Sequence, residues 1–173
     1  MDIRIATVDD AATVTGIINR AFVVEAFFKI GDRTSREDVV GLMRDRGEFL
    51  LAEEDGRAAG CVFVQAKGDV GYFGMLSVEP GLQGKGLGRF LINAAESRLR
   101  EIGCRAVEIE IVNLREELPP LYEKFGYART EERPFPSPER ANQACHFVVM
   151  TKTLSRESTT RVAAQRQRNS ESA

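Results

Sequence analysis

The sequence predicts one α/β domain built on a mixed sheet, and three observations lead to this class. Its 173 residues suit a single domain. Strand-like and helix-like periodicities alternate along the chain. Between residues 72 and 113 a strand, a glycine-rich turn, a helix and a second strand follow one another, which is the order of a right-handed crossover between parallel strands.

The N-terminal half is expected to supply one strand, two helices and a hairpin. IRIA alternates in hydropathy and predicts a strand over residues 2–6, followed by a capped helix. A second helix is expected to begin near Ser35, because Glu37 and Asp38 then lie in its first turn, where the helix dipole favours anions. The runs EFLLAEE and RAAGCVFVQA flank an Asp-Gly pair, which is a strong hairpin signal.

The C-terminal half continues the alternation. GYFGMLSV predicts a strand, and apolar periodicity predicts a helix over residues 89–102. AVEIEIVN predicts a strand with apolar residues on one face and glutamates on the other. Pro120 suits the first turn of a short helix that Gly126 ends. The last strands are expected near residues 127–132 and in CHFVVMTKTL, with RPFPSP as a loop between them.

Composition argues against several functional classes. A net charge of −2 gives no footprint for nucleic acid. One histidine and three cysteines without a Cys-x-x-Cys pair argue against a metal site. No run approaches the roughly 18 apolar residues of a membrane span, and the charged N-terminus is unlike a secretory signal. Buried free thiols are typical of a reducing compartment, so a cytoplasmic location is expected.

The composition changes at residue 155. The segment SRESTTRVAAQRQRNSESA has no aromatic residue and little apolar content. Such a composition cannot bury enough apolar surface to offset the entropy of ordering. The sequence therefore predicts a domain over residues 1–154 and a disordered polar tail over residues 155–173.

The turn in VEPGLQGKGLGRFL joins the end of a strand to the start of a helix. Such a turn directs backbone N–H groups toward one point beside the positive end of the helix dipole. Glycines at 84, 86 and 88 let an anion approach, and Lys85 and Arg89 add positive charge. This predicts a phosphate or pyrophosphate site. From the residues alone, a turn that merely packs a helix on a strand remains an equal alternative.

Two well-known phosphate loops fit this turn poorly. A Walker A loop needs Ser or Thr after its lysine, whereas Gly86 follows Lys85. A dinucleotide fingerprint needs a third glycine at position 89, which is Arg89. A nucleotide-phosphate binder is therefore only a weak alternative, and competition between ATP and coenzyme A tests it.

The pattern that fits the turn is Q-x-x-G-x-G, at Gln83, Gly86 and Gly88. LYEKFGY follows as L-Y-x-x-x-G-Y, and IRIATVDDAATV opens the chain as a strand and a helix. Through these motifs the sequence resembles the GNAT superfamily of acetyl-CoA-dependent N-acetyltransferases, over about residues 2–154. The resemblance implies a mixed central sheet flanked by helices, in which two parallel strands splay apart at the cofactor site.

The resemblance also implies where acetyl-CoA, the cosubstrate, binds. Backbone amides of the turn would hold its pyrophosphate, and the preceding strand would hold its pantetheine arm and offer an N–H to the oxyanion. Carried over to this sequence, the cofactor-binding residues are Leu76, Ser77, Val78, Gln83, Gly84, Lys85, Gly86, Leu87, Gly88, Arg89 and Asn113.

The chemistry implied by the resemblance is direct attack of an amine on the thioester in a ternary complex. Tyr122 matches the tyrosine that protonates the departing thiolate in this family. The base is open between Glu110 and Glu25, because the strand before the turn carries no carboxylate. Cys145 and His146 point to opposite faces of a strand, which argues against a Cys/His nucleophile.

The acceptor side is expected to be built from residues 23–35 and 132–141. Phe27 and Phe28 suggest an apolar wall, and Glu25, Asp32 and Glu139 suggest attraction of a cation. The acceptor amine itself is left open, and a homodimer through the last strands is a further expectation. The alternative function is a coenzyme-A-binding regulatory or interaction module without turnover.

Overall fold

A computed structural model of the chain describes residues 1–154, and the predicted tail lies outside the described residues. Within these residues, four α-helices, seven strands and four short 3-10 turns form the fold. The helices are α1 (Ala11–Ala21), α2 (Arg36–Arg44), α3 (Leu87–Ile102) and α4 (Leu118–Lys124). The strands are β1 (Asp2–Ile5), β2 (Glu48–Glu54), β3 (Arg57–Lys67), β4 (Val70–Val78), β5 (Ala106–Val112), β6 (Ala128–Pro134) and β7 (His146–Thr153).

The strands form one mixed sheet in the order β1-β2-β3-β4-β5-β7-β6. Its single parallel pair is β4 with β5, joined through α3, and the other neighbours are antiparallel. The predicted class and the predicted order of elements are therefore confirmed. The boundaries differ by a residue or two in places, since α3 begins at Leu87 rather than Arg89. The difference that matters is at β6, which runs to Pro134; this residue pairs with His146 at the end of an edge strand, where a residue without an N–H is tolerated.

Local signals act as the sequence predicts. The Ser35 hydroxyl accepts the Asp38 backbone N–H at 3.1 Å and so caps α2. Asp55 and Gly56 both have positive φ, of 51° and 73°, as a tight turn between β2 and β3 requires. These local agreements fix the ends of the elements that support the sheet.

Helices cover both faces of the sheet. On one face α3 and α4 pack on residues that include Phe73, Val107 and Ile109. On the opposite face α1 and α2 pack on residues that include Phe49 and Phe63. The two faces are called here the α3 face and the α1 face. Because β5 alternates, Glu108 and Glu110 lie on the α1 face while Val107, Ile109 and Ile111 lie on the α3 face.

The central parallel strands separate part of the way along. Their pairing runs from Val70 opposite Ala106 to Tyr72 opposite Glu108 and then stops, although both strands continue. β4 is irregular beyond this point, since its register against β3 shifts and Met75 has a φ of 50°. The sheet therefore opens between the ends of β4 and β5, and the expected splay is confirmed.

Two loops cross the α1-face end of this opening and bond to each other. They comprise residues 22–35 and 135–145 and are called here the loop pair. Lys29 bridges Ala141, the Ile30 N–H donates to the Arg140 carbonyl at 2.9 Å, and the Asn142 N–H donates to the Phe28 carbonyl at 2.8 Å. Segments more than 100 residues apart in sequence are thereby held as one unit.

A buried charge network ties α3 to the last strands. Glu96 is 4% exposed and accepts from the Tyr127 hydroxyl at 2.9 Å and from Lys152 Nζ at 2.8 Å. Arg100 lies beside the same carboxylate at 3.5 Å. Burial and the Glu96 carboxylate raise the pKa of Tyr127 well above its usual value, which keeps its hydroxyl a donor.

Removing the Glu96 carboxylate is expected to destabilise the fold. In Glu96→Ala, Lys152 and Arg100 lose their shared anion, and the free energy of unfolding falls by about 2 kcal/mol, a value reduced for the partial exposure of both cations. Urea unfolding measures it. The control is Glu101→Ala on the same helix, whose carboxylate is 66% exposed and whose loss costs about 0.5 kcal/mol or less. Equal effects of the two substitutions contradict the structural role of Glu96.

Candidate active site

The splayed ends of β4 and β5 open into a cavity of about 600 Å³, the main cavity. Its walls come from β4, the glycine turn, the start of α3, β5 and α4, and the end of α1 closes one side. The cavity thus runs through the sheet from the turn on the α3 face toward the loop pair.

The glycine turn presents free backbone donors to the main cavity. Gly84 and Gly86 have φ of 80° and 83°, a conformation that favours glycine, and the second of them precedes α3 directly. The first bond within α3 is from the Phe90 N–H to the Gly86 carbonyl at 3.1 Å. The N–H groups at 87, 88 and 89 precede it and have no helical acceptor, so they can bind an anion.

Gly88 provides a fit test for such an anion. Its φ is not in the left-handed region, and a Cβ built on it meets no protein atom within 4 Å. Neither backbone conformation nor internal packing therefore requires glycine here. The cavity space over the N–H groups is what a side chain would fill, and this fits a pyrophosphate lying against the turn.

The structure places most, though not all, of the expected cofactor residues on this cavity. The lining includes Leu76, Val78, Gln83, Gly84, Gly86, Leu87, Gly88 and Arg89. Ser77 and Lys85 lie outside the lining, and the buried Ser77 hydroxyl donates to the Met75 carbonyl at 2.9 Å. Gln83 also donates to the Val78 carbonyl at 3.3 Å, which holds the turn against β4.

Asn113 lies outside the main cavity, contrary to its expected contact with the cofactor. Its Oδ1 accepts the His146 backbone N–H at 2.9 Å, and its own N–H donates to the His146 carbonyl. Asn113 therefore extends the pairing of β5 with β7. This pairing engages the Asn113 side chain outside the cavity wall, although Arg115, two residues further on, does line the cavity.

Tyr122 lies on α4 in the wall of the main cavity. It is 8% exposed, and its ring packs against Phe73, Phe125 and Tyr127. Burial raises the pKa of its hydroxyl to about 12, so it is protonated at neutral pH. Among residues 1–154 no group accepts or donates a hydrogen bond at this hydroxyl, which leaves it available to a ligand.

Both candidate bases line the main cavity, and each is held by an arginine. Glu110 accepts from Arg133 at 3.1 Å and has a quarter of its side chain exposed. Glu25 is 6% exposed and accepts from Arg115 at 3.1 Å. Glu110 lies on the α1 face of β5, whereas Tyr122 packs on the α3 face, so the two side chains approach the opening from opposite sides.

The acceptor-side side chains differ from expectation. Phe28 is fully buried and Phe27 is 53% exposed, and neither lines the cavity, so the expected apolar wall is wrong. Asp32 and Glu139 are exposed and also lie outside it, because the loop pair directs them to the surface. Two of the three carboxylates that were expected to attract a cation therefore lie outside the cavity, and the third, Glu25, already pairs with Arg115.

Three polar residues that the motifs do not indicate line the main cavity, besides several apolar residues. They are Tyr72, at the last position of β4 that pairs with β5, Arg33 in the loop pair and Arg115 after β5. The Tyr72 ring reaches along the strand, so that a Cβ at Gly74 would collide with its hydroxyl. Gly74 therefore leaves the space that the Tyr72 ring occupies, and this glycine is the sequence signal that could have indicated Tyr72.

A second cavity, the side cavity, adjoins the main one on the α1 face. It measures about 510 Å³ and lies between α2 and the loop pair. Arg33, Met75 and Phe147 line both cavities, so the two meet at these residues. No residue of the glycine turn lines the side cavity, which makes it a separate entrance to the opening in the sheet.

A mixed sheet with splayed central strands beside a turn with free backbone N–H donors defines the acyl-CoA N-acyltransferase class of fold. The model of the acetyltransferase (GNAT) family matches residues 16–127, which is more than half of the chain. The chain therefore belongs to the GNAT acetyltransferase family.

Solved structures share the fold across nearly the whole chain. The ribosomal-protein-S18-alanine N-acetyltransferase of Escherichia coli matches with a TM-score of 0.74 at 19% identity, covering 91% of this chain and 96% of that one. The protein yncA of Salmonella typhimurium, solved with acetyl-CoA, matches with a TM-score of 0.68 at 22% identity, covering 92% and 96%. At these identities the likeness concerns the fold.

Curated relatives match a shorter region. The mycothiol acetyltransferase of Propionibacterium freudenreichii is 33% identical over 78 residues, which are 45% of this chain and 22% of that protein. The mycothiol acetyltransferase of Sanguibacter keddieii is 40% identical over 72 residues, which are 38% and 23%. The chain thus matches less than a quarter of the length of these relatives.

Two features are absent from the described region. No helix within residues 1–154 is long and apolar enough to cross a membrane. In the same part of the chain no three His, Cys, Asp or Glu side chains converge as metal ligands.

Proposed function

We propose that the chain transfers an acetyl group from acetyl-CoA to an amine by direct attack in a ternary complex. The observation that carries the proposal is the opening between β4 and β5, which has free N–H donors at one end and the Tyr122 hydroxyl in its wall. Family membership and acetyltransferase names among the curated relatives support the reaction class.

The cofactor enters from the α3 face. Its pyrophosphate binds the N–H groups at 87, 88 and 89, and the Arg89 side chain, held over the Phe125 ring at 5.6 Å, adds positive charge beside it. The pantetheine arm runs along β4 past Leu76 and Val78, on the side where β4 no longer pairs with β5. The thioester then lies in the opening of the sheet.

The amine enters from the α1 face through the side cavity. Its lone pair attacks the thioester carbonyl carbon, a C–N bond forms, and the C–S bond breaks. A backbone N–H near Val78 stabilises the oxyanion. Tyr122 gives its proton to the departing thiolate, and a carboxylate on the acceptor side takes the proton lost by the amine.

Glu110 is the carboxylate that we assign as the base. It lies on the acceptor face, beyond the last pair between β4 and β5, where the strands are apart. Arg133 fixes one of its oxygens. Glu25 is placed less well for this role, because it is buried against Arg115 at the end of the cavity formed by the segment after α1.

The base assignment predicts a change in the pH profile. In Glu110→Gln, kcat/KM at pH 7 falls by about 100-fold. The difference in kcat/KM between the variant and the wild type decreases as pH rises, because a larger fraction of the acceptor is then already a neutral amine. The control is Glu108→Gln, which removes a carboxylate bonded to the same Arg133 but outside the cavity lining.

Two outcomes contradict the assignment. If Glu110→Gln keeps the wild-type profile and Glu25→Gln shows the loss, Glu25 is the base. If both variants keep the profile, proton removal does not limit the reaction at this site.

The proposal is tested by measuring acetyl-CoA binding and coenzyme A release with a panel of amines. Tight binding with turnover of at least one amine supports it. Tight binding without turnover of any amine supports the alternative, a coenzyme-A-binding module. The arginine contacts on both candidate bases are the observation that keeps this alternative in the test.

We further propose residues 1–154 as the catalytic unit and a cytoplasmic location. Leu154 is 5% exposed and its N–H donates to the Arg105 carbonyl at 2.8 Å, so the described fold is closed at this residue. The three cysteines are free thiols, as a reducing compartment favours. A homodimer through the last strands receives no support from β6, because its bulge at Arg129 and its terminal Pro134 disfavour edge pairing.

A further inference from the structure

Three cations gather where the loop pair meets the two cavities. Lys29, Arg33 and Arg140 all line the side cavity, and Arg33 also lines the main one. The Lys29 ammonium is held by the Arg33 carbonyl at 3.2 Å, and the Arg33 guanidinium lies 4.9 Å from the centre of the Phe22 ring. Pairing of the two loops places these cations together, although the chain separates Lys29 from Arg140 by more than 100 residues.

None of the three cations has an acidic partner in the described part of the chain. No carboxylate oxygen lies within 4 Å of them, and the buried Arg33 Nε has no hydrogen-bond partner there. Glu25, the nearest buried carboxylate, is bonded to Arg115. Glu37, Asp38 and Asp45 also line the side cavity, but they are exposed.

This cluster of three cations destabilises the fold unless an anion binds beside it. Lys29 is only 8% exposed, and burial together with the nearby Arg33 and Arg140 lowers the pKa of its ammonium to about 8. Glu25 opposes this lowering only in part, because it is paired with Arg115 and forms no ion pair with Lys29. A buried cation without a bonded counter-charge is destabilising, and a guanidinium presents its donors in a fork that matches a carboxylate or phosphonate. A ligand anion at Arg33 satisfies both conditions.

The position of Arg33 decides which ligand carries this anion. The pyrophosphate of acetyl-CoA belongs at the glycine turn, and no residue of that turn lines the side cavity. Arg33 stands at the junction of the cavities, on the α1 face, where the acceptor enters. We propose that the acceptor is an amine that also carries an anionic group, a carboxylate or a phosphonate, and that Arg33 binds this group with Lys29 beside it. The inference rests on the acetyl transfer proposed above.

The test uses matched acceptors that differ in one charge. Glycine, leucine, methionine, phenylalanine and glutamate are compared with their α-amides and with the corresponding 1-aminoalkylphosphonates, and kcat/KM is measured from coenzyme A release. For the best acceptor, the anionic form is expected to exceed the amide by about 10- to 100-fold, the effect of a charged hydrogen bond. The phosphonate arm distinguishes the two anions.

Substitution of Arg33 is expected to remove this preference. Arg33→Gln lowers kcat/KM more for the acid than for the amide, so that their ratio falls toward one, and Arg33→Lys restores part of it. Arg36→Gln is the control, because Arg36 is exposed and lines neither cavity. In Arg36→Gln the acid-to-amide ratio of kcat/KM is expected to stay at the wild-type value.

The inference is overturned if an amide is acetylated as well as its acid, or if the acid-to-amide ratio of kcat/KM is unchanged in Arg33→Gln. It is also overturned if Arg33→Gln raises the Kd of acetyl-CoA as much as it raises the KM of the acceptor. If acetyl-CoA binds but no amine is acetylated, the proposed function fails. The anion site at Arg33 is then tested separately, by calorimetry of the same acids with the coenzyme-A-loaded protein. Acid binding that Arg33→Gln abolishes supports an anion site, and no acid binding to the wild type overturns it.

Discussion

Gly88→Val is expected to abolish acetyl-CoA binding while leaving the protein folded. The new branched side chain meets no protein atom at its Cβ, so the melting temperature without ligand stays near the wild-type value. It occupies the space over the free N–H groups at the start of α3, where we place the pyrophosphate. Loss of these charged hydrogen bonds raises the Kd by at least about 100-fold. Calorimetry and the ligand-induced shift in melting temperature both measure it.

Gly81→Val is the matched control for this prediction. Gly81 precedes the turn, its φ is not in the left-handed region, and a Cβ there also meets no atom within 4 Å. It does not line the main cavity. Gly81→Val is therefore expected to keep acetyl-CoA affinity, and an unchanged affinity in folded Gly88→Val would refute the pyrophosphate site at the turn.

Tyr122→Phe is expected to lower kcat by about 10²- to 10⁴-fold, or somewhat less because a thiolate is already a fair leaving group. The substitution keeps the ring and its contacts with Phe73 and Tyr127. It removes only a hydroxyl that has no partner in residues 1–154, so stability and acetyl-CoA affinity are expected to stay near the wild type. Single-turnover kinetics with a good acceptor measures the chemical step directly.

Tyr127→Phe gives the contrasting result. The Tyr127 ring packs against Tyr122, but its hydroxyl donates to buried Glu96 rather than facing the main cavity. We expect a lower melting temperature and little change in the chemical step. If Tyr122→Phe retains the wild-type rate while chemistry limits turnover, Tyr122 is a packing residue and the acid assignment fails. A parallel loss of affinity and kcat would instead indicate that the hydroxyl positions the sulfur.

Much of the fold was predictable because its signals are local. The Asp-Gly turn, the Ser35 cap and the alternation in β5 each depend on neighbouring residues, and the structure confirms them. The opening of the sheet followed from the family motif at the turn. The extension of β6 to Pro134 was not predictable, because only pairing with His146 shows that this proline lies at a tolerated edge position.

The acceptor side was less predictable, because its residues form their contacts with residues that are far away in the sequence. Glu25 meets Arg115 across 90 residues, so a carboxylate that appears free in the sequence already has an ion-pair partner in the fold. Phe28 was expected to form an apolar wall on the acceptor side, yet its carbonyl accepts from Asn142 and its ring is buried away from the cavity. Hydropathy and spacing carry no information on such contacts, and Arg33 acquires its position only through them.

The bonds within the loop pair also constrain how acceptor choice can change. Residues 28–30 gain their backbone pairing from residues 140–142, so the position of each segment depends on the other. A chimera that receives one foreign loop is expected to lose the bridge at Lys29 and Ala141 and to lose acceptor use altogether. Exchange of both segments in one step keeps the bridge, which makes the pair the smallest unit for transplanting specificity by recombination or by design.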